Sequence, residues 1–531
     1  MILTNKTAKA IIEFGDYQTP LSFAQLVCQK LKRVYGLSPN VVIEPTFGVG
    51  NFFKSILDTF PDVQLLHGIE INKRYFETAR QKICEHTSNI KAKLFHADIF
   101  AFDFGVIKKN ITKSDSLLII GNPPWITNSQ LSSMNSNNLP VKENFKGYSG
   151  LEAMTGKGNF DIAENIILRL LSEFSGHDCT LAMLCKTSVA KNIVRDMKKH
   201  SFSISAVDMY LFDANDIFDV NCDAGLLVIK LGSKSILSCK VFDFYTNKEK
   251  KQFGWFNNAF YSDFSDLDRS AAIDGHSQFE WRQGIKHDCS KIMELRLIGT
   301  NCYRNGLGEH CFFNLGTFVY PLVKSSDIKS VEITETKKFV IVPQKKINDD
   351  TLQIKEIDSD MWEYLSKHET LLNARRSVIY KNSPKFSIFG IGNYSFAKYK
   401  VGISGFYKNP IFSLIWNECP IMLDDTCYFL SFDNPAHALI TAALLNSKEN
   451  INFLKSIAFL DSKRPYTKDI LRRINFAKLT ELIGYTRIIK FIRSMPNDHF
   501  ICENDYHEYC QMLKHSSAQL VDTQQIWNVL F

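Results

Sequence analysis

Short apolar runs alternate with amphipathic stretches along the first 232 residues. The runs stop at Gly, Pro or polar residues, which is typical of buried strands, and the stretches between them space apolar residues as helices do. The predicted strands cover residues 41–43, 63–69, 93–97, 117–120, 180–185, 204–212 and 224–230. Strands that alternate with helices indicate a parallel sheet covered by helices. We therefore predict an α/β fold for this part of the chain.

The fourth apolar run stops abruptly at Asn122, Pro123, Pro124 and Trp125. Two prolines end the strand and stiffen the turn, because each fixes its own φ and lacks an N–H. The Asn122 side-chain oxygen and the Pro123 carbonyl can accept from an exocyclic amine, and the Trp125 ring can stack on a planar base. Ligands bind at the carboxyl ends of strands in open α/β sheets, so this turn predicts a pocket for an amino-bearing base. A strand-ending turn with Trp125 in the core is the alternative.

The first strand runs into Glu44 and Pro45 and then a turn that contains Gly48 and Gly50. A helix is predicted to start directly after this turn, at Asn51. Strand, glycine turn and helix in that order are typical of nucleotide binding, because glycine permits close approach and the helix end offers free N–H groups. A tight turn without a ligand is the alternative.

The next two strands also end in acids, Glu70 and Asp98. Glu70 follows the glycine turn by about twenty residues, where an acid can accept from both hydroxyls of a ribose. The Asp98 carboxylate can accept from an adenine amine while Ile99 covers the ring. Each acid alone is equally compatible with a helix cap. Three such strands before the Asn122 turn favour a ligand site.

The order of these motifs resembles that of the γ-class N6-adenine DNA methyltransferases of type II restriction–modification systems, which use S-adenosylmethionine. The resemblance covers residues 10–232 by motif and the remainder by arrangement only. It implies a class I (Rossmann-like) methyltransferase sheet with helices on both faces over residues 1–232. A connecting region over residues 233–300 and a C-terminal mixed α/β target-recognition domain over residues 301–531 would follow, with a helical segment from residue 486.

The resemblance also implies a role for each motif. Thr19 and Pro20, which we predict to cap and to begin a helix, would close over the methionine end of the cofactor. The implied cofactor-binding residues are Thr19, Pro20, Glu44, Pro45, Gly48, Gly50, Glu70, Ile71, Asp98, Ile99 and Asn122, and the implied catalytic residues are Asn122, Pro123, Pro124 and Trp125. Trp125 replaces the Tyr or Phe that many members of the family carry, and a larger ring still stacks.

Three further expectations concern aromatic residues and a loop near the site. Phe160 resembles the family residue beside the cofactor adenine. Phe218 is the candidate to stack on the second face of the target base, with Phe212 or a plain core position as alternatives. Residues 128–158 are rich in Asn, Ser, Gly and Lys, which indicates either a loop that orders against DNA or plain disorder.

Charge permits a double-stranded DNA partner without requiring one. The net charge is +7, and residues 451–500 hold ten Lys and Arg against four acids, as either a phosphate-binding or a solvated face would. Cations also interleave with aromatic residues at 320–327, 374–376 and 394–402, which favours contact with a sugar-phosphate backbone only weakly.

Composition sets the remaining expectations. No apolar run approaches the roughly 18 residues that cross a bilayer, and the thirteen cysteines include no Cys-x-x-Cys pair. We therefore expect a cytoplasmic protein with no membrane span, no metal and no disulfide framework. No nuclease cluster is recognisable and no extension precedes the methyltransferase motifs, so a cognate restriction endonuclease is expected on a separate chain. The alternative functions are an RNA or protein-glutamine methyltransferase, and a catalytically silent DNA-specificity subunit.

Overall fold

The computed structural model describes residues 17–84, 90–126, 161–200 and 202–530, with the backbone alone for residues 84 and 517–530. The chain divides into two compact units, Met1–Ser265 and Asp266–Phe531. Phe160 and the loop over residues 128–158 lie outside the described residues.

A ten-stranded sheet forms the first unit, in the order β10-β9-β8-β6-β7-β5-β4-β1-β2-β3. Its strands are β1 Val41–Glu44, β2 Leu65–Glu70, β3 Lys91–His96, β4 Leu117–Gly121, β5 Cys179–Lys186, β6 Ile204–Asp213, β7 Asp223–Leu231, β8 Ser238–Asp243, β9 Glu249–Phe256 and β10 Ala259–Tyr261. Strands β1 to β5 run parallel to their neighbours among themselves, and β7 is antiparallel to β5 and β6. The carboxyl ends of β1 to β4 therefore meet at one edge.

Helices connect the strands of this unit. They are α1 Leu21–Tyr35, α2 Asn51–Thr59, α3 Lys73–Cys84, α4 Gly105–Lys108, α5 Ile162–Glu173, α6 Thr187–His200 and α7 Ala214–Phe218. Helix α1 buries the adjacent Phe23 and Ala24 together with Val27 and Leu31, which follow at helical spacing on the same face, in a core shared with the sheet. The predicted Thr19 cap is wrong: Pro20 is the N-cap residue and its carbonyl accepts from the N–H groups of Phe23 and Ala24. The Thr19 hydroxyl is thereby left for another partner.

The sheet extends beyond the predicted boundary at residue 232. Strand β8 pairs in parallel with β6, and β9 and β10 continue the same sheet, so the first unit runs to Ser265. Residues 233–265 are thus not a connection, and residues 266–300 belong to the second unit. The sequence of β9 shows no alternation of apolar and polar residues, because the first four residues of this strand are exposed or half-buried on both faces of the sheet.

Two sheets and several helices form the second unit, which is mixed α/β. One sheet has five strands in the order β11-β21-β18-β19-β16, and the other has six in the order β14-β13-β12-β17-β15-β20. These strands are β11 Arg282–Gln283, β12 Glu294–Gly299, β13 Cys302–Asn305, β14 His310–Phe312, β15 Val319–Val323, β16 Glu332–Ile333, β17 Lys338–Ile341, β18 Tyr399–Ser404, β19 Phe412–Trp416, β20 Met422–Leu423 and β21 Cys427–Phe432.

The helices of the second unit concentrate in its last hundred residues. They are α8 Leu267–Ile273, α9 Ser290–Met293, α10 Ile354–Ile357, α11 Ser359–Lys367, α12 Glu369–Asn373, α13 Pro435–Leu445, α14 Lys448–Ile457, α15 Lys468–Leu471, α16 Phe476–Ile483, α17 Tyr485–Ile492 and α18 Glu503–Leu530. The segment expected to be helical from residue 486 corresponds to α17 and α18. Within the described ranges, no helix is long and apolar enough to cross a membrane.

Candidate functional site

A narrow cleft opens where β1 and β4 end. It is lined by Tyr17, Gln18, Thr19, Glu44, Thr46, Phe47, Gly48, Asn51, Phe52 and Asn122. Four buried side-chain atoms here have no hydrogen-bond partner among the described residues: Thr19 Oγ1, Glu44 Oε2, Thr46 Oγ1 and Asn122 Oδ1. Each such atom costs about 1–3 kcal/mol when left unsatisfied, so four that converge on one cleft indicate a ligand site.

Asn122 is held by one end of its amide. Its Nδ2 donates to the backbone carbonyl of Tyr17 at 2.8 Å. Because a carbonyl can only accept, the amide nitrogen must face Tyr17 and the oxygen must face the cleft. The Asn122 Oδ1 is therefore an oriented acceptor at the end of β4.

Glu44 places a carboxyl group at the base of the cleft. Its side chain is 2% exposed. Burial raises the pKa of this carboxyl well above its usual range, and repulsion from Glu70 raises the pKa further. A buried carboxyl of this kind favours a proton or a cationic group as its partner.

Glu70 supports the glycine turn. Its Oε2 accepts from the Gly48 N–H at 2.9 Å and its Oε1 accepts from the Asn72 N–H at 2.7 Å. Burial raises the pKa of Glu70, while these backbone N–H groups lower it. Each carboxylate oxygen retains a second lone pair for a ligand. The neighbouring Ile71 side chain is 50% exposed, which leaves an apolar surface beside the acid.

Gly48 requires glycine for two reasons. Its φ is +55°, in the left-handed region, and a Cβ there would lie 2.6 Å from Gln18 Oε1. The Val49 N–H donates to the same Gln18 oxygen at 3.2 Å. Gln18 therefore positions the turn, a role that its place beside Thr19 did not reveal.

Asp98 forms a tight turn at the end of β3, where its Oδ1 accepts from the Phe100 N–H at 2.9 Å. Ile99 beside it is buried. The Arg169 guanidinium, on α5, donates to the backbone carbonyls of Ile99 at 2.9 Å and Phe102 at 2.8 Å and also to that of Phe100. Sequence reasoning missed Arg169, whose only mark is that it is the single cation of a helix rich in Ile and Leu.

Trp125 lies in the core of the first unit. Its side chain is 5% exposed and its Nε1 donates to the Leu184 carbonyl at 3.2 Å. The ring contacts Phe218 edge to face, with centroids 5.1 Å apart, so no base fits between them in this arrangement. Both rings pack against the apolar core, which Phe212 also joins.

A lysine on β5 fixes the turn that follows Asn122. Lys186 Nζ donates to the Trp125 carbonyl and to Asp161 Oδ2, each at 2.8 Å. Asp161 in turn caps α5 through the Ala163 N–H. Pro123 is buried and Pro124 half-buried, and Pro45 lies beside Gly121. Lys186 is a second positioning residue that sequence reasoning missed.

The structure thus brings Thr19, Glu44, Gly48 and Asn122 together at one cleft, with Glu70 joined to it through Gly48. Asp98 and Ile99 follow β3, which lies on the far side of β2 from β1. The enclosed space is about 30 Å³, close to that of one water molecule, so a larger ligand would lie along the open side.

The strand order, with β7 inserted antiparallel between β5 and β6, and the acids and asparagine at the ends of β1 to β4 define a class I methyltransferase that uses S-adenosylmethionine. The buried oxygen atoms that face the cleft fit this cofactor, because a cationic ligand with hydroxyl and amino groups would donate hydrogen bonds to them. The predictions of the fold class and of the cofactor are confirmed.

No family model matches the sequence. The chain is 39% identical over 486 residues to the type II methyltransferase M.NspV of Nostoc sp., across 91% of this chain and 100% of that protein. It therefore belongs to the type II methyltransferases, as the motifs predicted. The fold resembles that of MmeI, a type IIL restriction–modification enzyme solved in complex with DNA, with a TM-score of 0.52 and 12% identity over 96% of this chain and 76% of MmeI.

Proposed function

We propose that this protein is a site-specific DNA adenine-N6 methyltransferase that modifies DNA in a restriction–modification system. The observation that carries the proposal is the Asn122 amide, whose nitrogen is held by Tyr17 while its oxygen faces the cleft without a partner among the described residues. An acceptor fixed in this way suits an exocyclic amine. Membership of the type II methyltransferases supports DNA as the substrate.

The mechanism requires that the adenine leave the duplex, at a cost of a few kcal/mol. The Asn122 Oδ1 and the Pro123 carbonyl would then accept from the two amine N–H groups. These two contacts hold the nitrogen so that its lone pair points at the methyl group, and they stabilise the positive charge that develops on nitrogen. When bound, S-adenosylmethionine supplies a methyl group activated by its sulfonium, and the amine loses one proton after transfer.

The remaining residues of the cleft would hold the cofactor. We assign its methionine end to Thr19, Pro20 and the turn from Glu44 through Gly50. We assign its ribose to Glu70 with Ile71 beside it, and its adenine to Asp98 and Ile99. Arg169 would act as a positioning residue, because it holds the carbonyls of the turn that carries Ile99.

Stacking of the target base on Trp125, with Phe218 on its other face, stays a prediction. It requires the edge-to-face contact between the two rings to open. An aromatic pair contributes about 0.5–1.5 kcal/mol, and a base stacked on an aromatic ring contributes about 1–3 kcal/mol.

The test is transfer of labelled methyl groups from S-adenosylmethionine to unmethylated duplex DNA, with total RNA and a protein extract as parallel acceptors, followed by nucleoside analysis. We expect label in DNA alone, as N6-methyladenine, and mapping of the modified sites gives the recognition sequence. Label recovered as N4-methylcytosine would show that the target base is cytosine. Label only in RNA or protein would show that DNA is not the substrate. No label despite cofactor binding would favour a silent specificity subunit.

A cognate restriction endonuclease on a separate chain also remains part of the proposal. That endonuclease would cut the same DNA sequence that this protein modifies. DNA isolated from cells that express the protein should therefore resist cleavage by the endonuclease at the mapped sites. Cleavage of that DNA at fully modified sites would contradict this role.

A further inference from the structure

Four basic residues stand in one row across the six-stranded sheet of the second unit. Lys338 on β17 lies opposite Arg296 on β12, Arg296 lies opposite Arg304 on β13, and Arg304 lies opposite His310 on β14. We call these four residues the basic row. Their neighbours Leu295, Tyr303, Cys311 and Phe339 are all buried, so the basic row occupies the opposite face of the sheet.

This arrangement costs stability. Like charges directly opposite one another on neighbouring strands are destabilising. Arg296 and Arg304 are exposed, and no described acidic side chain pairs with either. Lys338 pairs with Asp327 at 2.6 Å, and Arg304 lies 3.4 Å from the His310 ring. Arg296 and Arg304, the two central members of the row, thus have no acidic partner among the described residues, which indicates an anionic partner.

The basic row borders a groove of about 580 Å³ that contains two more exposed lysines, Lys291 and Lys337. The acid in its lining, Glu294, is already paired with Lys324 at 2.8 Å and with His287 at 3.3 Å. The groove is therefore strongly positive. Three strand spacings of about 4.8 Å make the row about 14 Å long, so it reaches more than one phosphate of a nucleic-acid backbone.

We propose that the basic row and its groove bind the backbone phosphates of duplex DNA, a proposal that rests on DNA as the substrate. The two central residues are arginines, whose planar guanidinium matches a phosphate with two hydrogen bonds. Phe312 lies two positions beyond His310 on the same face of β14 and is 68% exposed, which offers an apolar contact to a sugar or a base.

Two of the cations that the sequence pointed to are engaged within the second unit. Arg375 donates to the carbonyls of Leu372, Ser387 and His287. Lys400 is buried and donates to the Ala397 carbonyl. These two side chains stabilise the second unit, whereas Arg296 and Arg304 in the groove are exposed and have no acidic partner among the described residues.

The experiment measures binding of the full chain to a fluorescent duplex of mixed sequence over a range of salt concentrations. Each phosphate contact contributes about 0.9 to the slope of log K against log salt, and so about eightfold in affinity near 0.1 M salt. For Arg296→Gln combined with Arg304→Gln, we expect a slope smaller by about 1.8 and binding weaker by about 60-fold.

Two variants serve as controls. Lys355→Gln combined with Lys448→Gln removes the same charge from exposed positions of the same unit outside the groove, and should leave the slope nearly unchanged. Arg296→Lys combined with Arg304→Lys keeps the charge and should keep most of the slope. Thermal unfolding of the Gln variant should not shift downward, because a like-charge contact has been removed.

An unchanged slope in the Gln variant, or an equal loss in the Lys355 and Lys448 control, would overturn the inference. If the wild-type protein methylates DNA while the Gln variant keeps its slope, the inference alone fails. If the wild-type protein neither binds nor methylates DNA, the proposed function fails with it. Tighter binding of single-stranded RNA than of duplex DNA by the wild-type protein would overturn DNA as the partner of the row.

Discussion

At the scale of single residues, Asn122 divides its amide between two tasks: the nitrogen fixes the side chain to Tyr17 and the oxygen faces the cleft. Asn122→Ala removes the acceptor, and we expect kcat to fall by about 10²–10³-fold, the usual effect of losing one preorganised polar group at a reacting centre. Cofactor affinity should change little. Methyl-transfer kinetics together with calorimetric cofactor binding would measure both.

The matched control for that variant is Asn110→Ala, which removes an exposed asparagine of the same unit that bonds Lys93. Near-normal turnover of Asn122→Ala would exclude this residue from catalysis. Equal losses in both variants would indicate a loss of folded protein instead.

His67 on β2 is fully buried, and neither ring nitrogen has a partner among the described residues. Burial, together with the nearby Lys93 charge, lowers the pKa of His67 from 6.5 to about 4. Between pH 6.5 and pH 4, the His67 ring therefore binds a proton in the unfolded chain but not in the folded chain. The associated stability, about 3 kcal/mol, is complete above pH 6.5 and is lost as the pH falls toward 4.

We expect His67→Leu to lose less stability than the wild-type protein between pH 7 and pH 5. Urea unfolding at several pH values would measure the difference, with His96→Gln as the exposed control. The same pH dependence in wild type and His67→Leu would contradict the assignment.

At the scale of elements, the turn after β3 depends on α5. Three backbone carbonyls of that turn accept from the single guanidinium of Arg169. Hydrogen bonds to a charged group contribute about 1.5–3 kcal/mol. We therefore expect Arg169→Ala to weaken cofactor binding by about tenfold or more while kcat at saturating cofactor is largely kept.

Arg80→Ala is the control, because Arg80 forms only a surface ion pair with Glu77 on its own helix. A fall in kcat at saturation, with an unchanged cofactor dissociation constant, would show that Arg169 does not act through the turn.

Elements that carry their own pattern were predictable. Strands β1, β2 and β4 are buried, mainly apolar runs, and β3 is a half-buried edge strand. Each of the four ends within a few residues of the predicted acid or asparagine. Contacts between residues that lie far apart in the sequence could not be predicted. Thr19 does not cap α1 because the chain folds it into the cleft, and the position of Trp125 depends on Leu184 and Phe218.

The basic row shows the same limit more sharply. Its members lie on four different strands between residues 296 and 338, and they align only through the register of β17, β12, β13 and β14. A one-residue change of register would turn each side chain to the other face. Sequence proximity instead drew attention to Arg375 and Lys400, which are structural.

At the scale of the whole molecule, the cleft that we propose for the cofactor belongs to the first compact unit. A ligand stabilises what it binds, by about 2.7 kcal/mol at a concentration of 100 times its dissociation constant. We expect S-adenosylmethionine to slow hydrogen exchange at the ends of β1 and β4 and in the turn that contains Gly48. Hydrogen exchange read by mass spectrometry would test this. Protection confined to Asp266–Phe531 would contradict the assignment of the site.

The buried carboxyl of Glu44 makes ligand capture an acid–base event. A cationic end group that enters the cleft would lower the pKa of a carboxyl that burial had raised, so protons would be released on binding at pH values between the pKa of the free and of the ligand-bound protein. Affinity should then rise with pH, and the heat of binding should vary with the ionisation enthalpy of the buffer. Glu44→Gln should abolish that variation, and equal heats in all buffers for the wild type would contradict it. Within that pH range the protein would release protons as it loads its methyl donor.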